Sequence, residues 1–84
     1  MTLHNLKILP EHFIAVQSGL KKAELRADDR KFEVGDLIDL CEWTGDTYSG
    51  NVQRVVITHI LRGCPQYGLK DGYCILSIKR IRTK

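Results

Sequence analysis

The sequence predicts a small α+β domain: a β-barrel of about five mainly antiparallel strands with one short N-terminal helix. Runs rich in Val, Ile, Leu and Tyr alternate with polar residues at strand spacing, and glycine-containing turns separate them at hairpin distances. One segment near the N-terminus instead repeats its apolar residues at helical spacing. A chain of 84 residues has room for one hydrophobic core, so residues 1–84 are expected to form a single domain.

The first two predicted elements are a strand over residues 3–9 and a short helix directly after it. Pro10 suits the first turn of a helix, where a missing N–H removes no hydrogen bond. Gly19 is expected to end the helix in a left-handed conformation. The helix residues expected to face the core are Phe13, Val16 and Leu20.

The later strands are predicted over residues 22–26, 37–43, 52–61 and 73–81. Gly35, in the sequence Val34-Gly35-Asp36, is expected to turn the chain into the second of these strands. Residues 45–50 and 62–72 are rich in glycine and are predicted as loops. One short helix and about five strands with turn signals at hairpin spacing therefore predict a small, largely antiparallel barrel.

The net charge of +3 is unevenly distributed along the chain. Four of the thirteen basic residues lie at the C-terminal end, namely Lys79, Arg80, Arg82 and Lys84. This basic end suits either a nucleic-acid contact or a solvated tail. No apolar run approaches the roughly 20 residues of a membrane span, and polar residues interrupt the N-terminus where a signal peptide would need an apolar core. A cytoplasmic protein without membrane contact is therefore expected.

The cysteines do not suggest a disulfide framework or a zinc site, because the three are an odd number without a C-x-x-C pair. Cys41 and Cys74 lie within strand patterns and are expected to be buried, whereas Cys64 lies in a loop and is expected to be the most exposed. His59 shares a strand face with apolar residues, so it is expected to be a packed core residue. No metal and no cofactor is expected.

Residues 19–30 contain seven charged side chains of both signs, and part of this segment is predicted to be a strand. Alternate side chains of a strand share a face, so Lys22, Glu24 and Arg26 are expected to project together, while Leu25 anchors the opposite face. A carboxylate beside a guanidinium combines an acceptor with a fork of donors, which suits a planar polar ligand. The alternative is a solvated edge strand whose charges discourage pairing with another chain.

The pattern Gly19-x-Lys21-x-x-Glu24-x-Arg26 resembles the G-x-K-x-x-E-x-R signature of the ASCH domain, a member of the PUA-like superfamily of small β-barrels. Val34-Gly35-Asp36 and Tyr67-Gly68-Leu69 are similar to a compact bacterial and phage branch of that family. The resemblance covers residues 3–81, and it implies an RNA- or nucleotide-binding module whose cleft lies between the barrel and the helix.

Carried over by position, Lys21 would supply positive charge, Glu24 would accept hydrogen bonds, and Arg26 would orient Glu24 or contact a phosphate. Arg30 would reach a phosphate or cap the barrel, and Tyr67 would stack on a base or cover the barrel. The residues expected to contact the ligand are Lys21, Glu24, Arg26, Lys7, Arg30 and Tyr67. Few aromatic residues are present, so a nucleotide or a short single-stranded segment is the expected partner.

Two alternatives remain open at this point. One ASCH branch consists of amidohydrolases that deacylate N4-acetylcytidine with a lysine, a threonine three positions later and a distant glutamate. Lys21 matches the lysine, but Glu24 occupies the threonine position and no glutamate follows Glu42, so the chain is not expected to be such an enzyme. If it were, Lys21 and Glu24 would be its acid–base pair. The second alternative is a protein-interaction module.

Overall fold

The computed structural model describes residues 1–81, so Arg82 and Lys84 of the predicted basic end lie outside the described residues. The elements are β1 (Leu3–Ile8), α1 (Pro10–Gln17), β2 (Ala23–Ala27), β3 (Leu37–Trp43), β4 (Tyr48–Leu61) and β5 (Tyr73–Arg80), with a 3₁₀ turn at Pro65–Tyr67. Strand β4 begins within the predicted loop over residues 45–50, because Tyr48 already pairs with Trp43. No helix within residues 1–81 combines the length and the apolar character that crossing a membrane requires.

The five strands form one mixed sheet in the order β1-β3-β4-β5-β2. Strand β1 runs parallel to β3, and the other three pairings are antiparallel. The predicted five mainly antiparallel strands and short helix are therefore confirmed, although the sheet is a curled half-barrel with β1 and β2 at its two edges. Strand β2 is thus an edge strand, as the alternative interpretation of residues 19–30 required.

Two arginine side chains span the opening between the edge strands. Arg26 on β2 donates from Nη2 to the carbonyl of Lys7 on β1 at 2.5 Å, and Arg30 donates from Nη1 to the carbonyl of Asn5 at 3.2 Å. The two carbonyls are two residues apart on β1, so both project from the same side of that strand. Guanidinium groups therefore satisfy β1 carbonyls that a closed barrel would pair with backbone N–H groups.

The core lies between α1 and the concave face of the sheet. Its buried apolar residues are Leu6, Ile8, Phe13, Val16, Phe32, Ile38, Leu40, Val55, Ile57, Cys74, Leu76 and Ile78. The prediction that Leu20 also faces the core was wrong, because this side chain is 85% exposed. Gly19 has φ +82 and turns the chain away from the helix axis before Leu20 can complete the apolar stripe.

The inward face of β2 is the reverse of the predicted one. Glu24 is 5% exposed and Leu25 is 62% exposed, so Leu25 does not anchor the strand. In the pairing of β2 with β5, Glu24 lies opposite the fully buried Leu76, and directly opposite residues share a sheet face. The register of this pairing therefore turns the charged side chains toward the interior of the half-barrel.

His59 is exposed, so the prediction that it packs in the core was wrong. The register of β4 against β5 shifts between Ile57 and His59, which marks a β-bulge. An extra residue at a bulge reverses the alternation of faces, so Ile60 packs against the core in place of Leu61. Periodicity read along a continuous strand could not reveal this change.

The three cysteines are free thiols. Cys74 is buried as predicted, but Cys41 is only half-buried, and Cys64 is half-buried where exposure was expected. Burial raises the pKa of the Cys74 and Cys41 thiols, which lowers the fraction of reactive thiolate.

Asp36 joins the N-terminal segment to the turn before β3, and the residue is only 4% exposed. One carboxylate oxygen accepts from the backbone N–H of Thr2 at 3.0 Å. The other lies 2.9 Å from Nε2 of His4 and accepts from the backbone N–H of Glu33 at 3.1 Å. The His4 contact, helped by the two backbone donors, lowers the pKa of Asp36 despite burial, which acts in the opposite direction.

Candidate functional site

The end of α1 determines where the signature residues lie. Gly19 donates its N–H to the carbonyl of Val16 at 3.0 Å, and Leu20 donates to that of Ala15 at 3.0 Å. These two bonds form a Schellman motif, which satisfies carbonyls that the end of a helix leaves free. Lys21 donates its N–H to the same Ala15 carbonyl at 2.9 Å, so its backbone is held against the helix.

The centre of the site is the buried carboxylate of Glu24. Its Oε1 lies 2.7 Å from Nζ of Lys21, and its Oε2 accepts from Nε of Arg26 at 2.9 Å. Lys21 also donates to the carbonyl of Ala23, and Arg26 also donates to that of Lys7. Each cation therefore contacts the carboxylate and a backbone carbonyl, which holds both side chains in one conformation.

A hollow of about 340 Å³ adjoins this cluster. It is lined by Lys7, Ile8, Leu9, His12, Lys21, Glu24, Leu25 and Arg26, and we refer to it as the signature hollow. Residues of β1, α1 and β2 contribute to it, so it lies at the opening of the half-barrel beside the helix. Its lining combines apolar and charged side chains.

The cluster keeps hydrogen-bonding capacity that its internal contacts do not use. Within residues 1–81, the bonds of Arg26 involve Nε and Nη2, which leaves Nη1 available to a ligand. Lys21 has three ammonium donors for its two protein acceptors, and each oxygen of Glu24 has a second lone pair. The hollow can therefore offer donors and an acceptor side by side.

Lys7 lines the signature hollow, but its ammonium is directed at two aromatic rings. Its Nζ lies 4.1 Å from the ring centroid of Trp43 and 5.9 Å from that of Tyr48. The two rings meet edge to face with centroids 4.8 Å apart. Lys7 therefore makes a cation–π contact with rings that do not themselves line the hollow. Sequence reasoning missed this aromatic pair, although both residues flank the hairpin loop between β3 and β4.

The structure does not bring Arg30 or Tyr67 to the lining of the signature hollow. Besides its bond to Asn5, Arg30 lies 3.8 Å from the carboxylate of Asp29. Tyr67 is exposed at the end of the 3₁₀ turn. The predicted contacts of these two residues with a ligand remain predictions.

A second hollow, of about 560 Å³, lies on the other side of Lys21. It is lined by Val16, Ser18, Gly19, Lys21, Lys22, Val55, Thr58, Ile78, Lys79 and Arg80, and we refer to it as the basic cleft. The carbonyl of Lys22 accepts from the N–H of Ile78 at 2.9 Å, which places Lys22 next to the end of β5. The sequence marked the C-terminal basic residues but did not reveal that Lys22 lines the same cleft as Lys79 and Arg80.

Two other arginine–carboxylate pairs line neither the signature hollow nor the basic cleft. Arg62 contacts Asp28 through Nε and Nη2 at 2.6 and 3.2 Å and also donates to the carbonyl of Phe32. Arg54 contacts Asp39 at 2.7 and 2.9 Å and lowers the pKa of that carboxyl group. Among residues 1–81, no group of three or more His, Cys, Asp or Glu side chains is placed to hold a metal ion.

Comparisons with known proteins give a family and a fold. The family model described as domain of unknown function DUF3850 matches residues 3–78. An uncharacterized 12.9 kDa protein of Escherichia phage P2 is 34% identical over 58 residues, which are 69% of this chain and 53% of the phage protein. The chain therefore spans about half the length of that relative. The crystal structure of hypothetical protein PH0355 superposes with a TM-score of 0.64 and 16% identity, over 96% of this chain and all of that one.

Proposed function

The chain belongs to the DUF3850 family, and from that premise we propose that it binds a nucleotide or a short single-stranded RNA in the signature hollow. The observation that carries this proposal is the buried carboxylate of Glu24, held between Lys21 and Arg26 at the wall of an open hollow. The resemblance to ASCH domains of the PUA-like superfamily supports the same function.

The chemistry of the hollow complements a nucleotide. The edge of a nucleobase presents donors and acceptors together, and Glu24 and Arg26 offer the matching acceptor and donors. The spare donors of Lys21 and Arg26 suit a phosphate oxygen. The apolar part of the wall, which includes Ile8, Leu9 and Leu25, suits the face of a base or a ribose.

The size of the hollow favours a small ligand. About 340 Å³ lies near the lower end of the range for small-molecule sites, which is roughly 300–1,000 Å³. A hollow of this size suits one nucleotide unit of a ligand. Trp43 and Tyr48 are held against Lys7 and do not line the hollow, so the described site offers no Phe, Tyr or Trp ring on which a base would stack.

The proposal is tested by titrating the protein with AMP, GMP, CMP and UMP in a calorimeter and repeating the titration with Arg26→Lys. Lysine keeps the charge but loses the planar fork, so we expect affinity for the preferred nucleotide to fall at least tenfold. The matched control is Arg62→Lys, because Arg62 also contacts a carboxylate and a backbone carbonyl but lies outside the signature hollow.

An unchanged affinity in Arg26→Lys, or an equal loss in Arg62→Lys, would overturn the proposal. If none of the four nucleotides binds the wild-type protein, the site does not bind mononucleotides. Incubation with N4-acetylcytidine separates binding from hydrolysis, and we expect no release of cytidine because Glu24 stands where the related amidohydrolases have a hydroxyl group.

A further inference from the structure

The basic cleft brings together several cations that have no carboxylate partner among the described residues. Lys22, Lys79 and Arg80 line it, and none of the three forms an ion pair within residues 1–81. By contrast, Arg26, Arg54 and Arg62 are each paired with a carboxylate. Among the described residues that line the cleft none is acidic, so the charged side chains of its lining are all positive.

The floor of the cleft is apolar. Val16 comes from α1, Val55 from β4 and Ile78 from β5, and Thr58 adds a hydroxyl group. The helix ends beside this floor, but the carbonyls of its last turn accept hydrogen bonds from the following loop. Those bonds reduce the partial negative charge that a helix C-terminus would otherwise present to an anion.

Lys21 connects the two hollows, because it lines both. Its ammonium contacts Glu24 on the side of the signature hollow, while its neighbour Lys22 belongs to the basic cleft. A ligand that fills the signature hollow would therefore reach the basic cleft by passing Lys21, the residue that lines both.

On the basis of the proposed function, we propose that the ligand is a single-stranded nucleic acid whose backbone runs from the signature hollow into the basic cleft. There its phosphates bind Lys22, Lys79 and Arg80, and a sugar or base lies on the apolar floor. The ligand is thus an oligonucleotide with at least one phosphate beyond the nucleotide held at Glu24.

The combination of the two hollows favours nucleic acid over an acidic peptide. An acidic peptide would suit the cations of the basic cleft, but its next carboxylate would meet the carboxylate of Glu24 in the signature hollow. A nucleic acid presents phosphates to the cleft and neutral base edges, which include N–H donors, to Glu24. The recess also differs from the flat surface that a lipid bilayer would contact.

The test measures binding of a fluorescein-labelled single-stranded RNA of about eight nucleotides by fluorescence anisotropy. The titration is repeated at several KCl concentrations between about 0.05 and 0.5 M. The variants are Lys22→Ala and Lys79→Ala, both exposed positions where truncation is not expected to disturb folding. Each lost phosphate contact should reduce the slope of log Kd against log salt by about 0.7 and weaken binding about fivefold at 0.1 M KCl. The matched control is Lys70→Ala, which removes an exposed lysine that lines neither hollow.

Unchanged salt slopes in both variants, or RNA that binds no tighter than the preferred mononucleotide, would overturn this inference. The proposed function would still stand if Arg26→Lys weakened binding. Binding that depends on Lys22 and Lys79 but ignores Arg26→Lys would overturn the proposed function and leave the cleft as the whole site. A polyglutamate peptide that binds as tightly as the RNA would overturn the assignment to nucleic acid.

Discussion

On one side of Lys21, both oxygens of the buried Glu24 are held by cations, whereas on the other side Lys22, Lys79 and Arg80 line a cleft to which residues 1–81 contribute no acidic side chain. Paired charges hold side chains in a defined geometry, but much of their interaction energy is spent within the protein. Unpaired surface charges have little effect on folding and remain available to a ligand. The signature hollow is therefore suited to reading the shape of a ligand, and the basic cleft to attracting its charge.

Asp36→Asn should have the largest effect on stability and none on ligand affinity. The asparagine amide replaces one acceptor oxygen with an NH₂ donor. That donor would face either the N–H of Thr2, or Nε2 of His4 and the N–H of Glu33. The free energy of unfolding should therefore fall by about 3 kcal/mol. Urea unfolding measures the loss, and nucleotide titration of the folded fraction measures affinity. Reduced affinity in a folded variant would show that buried carboxylates outside the hollow also control binding.

The stability that Asp36 contributes should depend on pH in a defined direction. Its pKa in the folded protein lies below the ordinary value of 3.8, so the contribution is complete above about pH 5 and is lost as pH falls through the folded pKa. Urea unfolding between pH 7 and pH 2 should therefore show the difference between wild type and Asp36→Asn shrinking below pH 3.8. A constant difference over that range would contradict this assignment.

Glu24→Ala should have the next largest effect on stability, and unlike Asp36→Asn it should abolish nucleotide binding. Lys21 and Arg26 lose their common partner, but their side chains are 24% and 23% exposed and can be partly hydrated. The cost should therefore be about 2 kcal/mol, less than for a fully buried pair. Urea unfolding and nucleotide calorimetry test the two parts separately, and binding that survives in the folded variant would place the site elsewhere.

Lys22→Ala and Lys79→Ala should change the free energy of unfolding least, by no more than about 0.5 kcal/mol. Unlike the two carboxylate variants, they should slightly stabilise the protein at low salt. Each removes one of several like charges that line the basic cleft, so repulsion within the folded state decreases. Thermal unfolding should show a slight stabilisation near 10 mM salt that vanishes at 0.5 M, where charges are screened beyond a few ångströms. A clear loss of stability would show that these lysines are structural.

Local patterns in the sequence predicted the elements well and the core face of α1 at Phe13 and Val16, but not the buried faces of β2 and of the C-terminal part of β4. The start of α1 at Pro10, its end before Gly19 and the strand at Leu37–Trp43 follow from residue type and short-range spacing. Leu25 and His59 were placed on the wrong faces, because the pairing of β2 with β5 and the bulge in β4 set those faces. The candidate site was found through the spacing of Glu24 and Arg26, whereas Arg30 lies outside the hollow.

The type of each element and its order along the chain, and the closeness of Glu24 and Arg26, were determined by the sequence itself, because turn residues, capping and strand alternation act over a few positions. Only the tertiary structure decided the inward orientation of Glu24, the pairing of Asp36 with His4 and Thr2, and the lining of one cleft by Lys22, Lys79 and Arg80. The contacts of Asp36 with Thr2 and His4 join residues more than thirty positions apart. They depend on how the sheet curls and which strands pair, and that is set by burial of the whole core rather than by any local pattern.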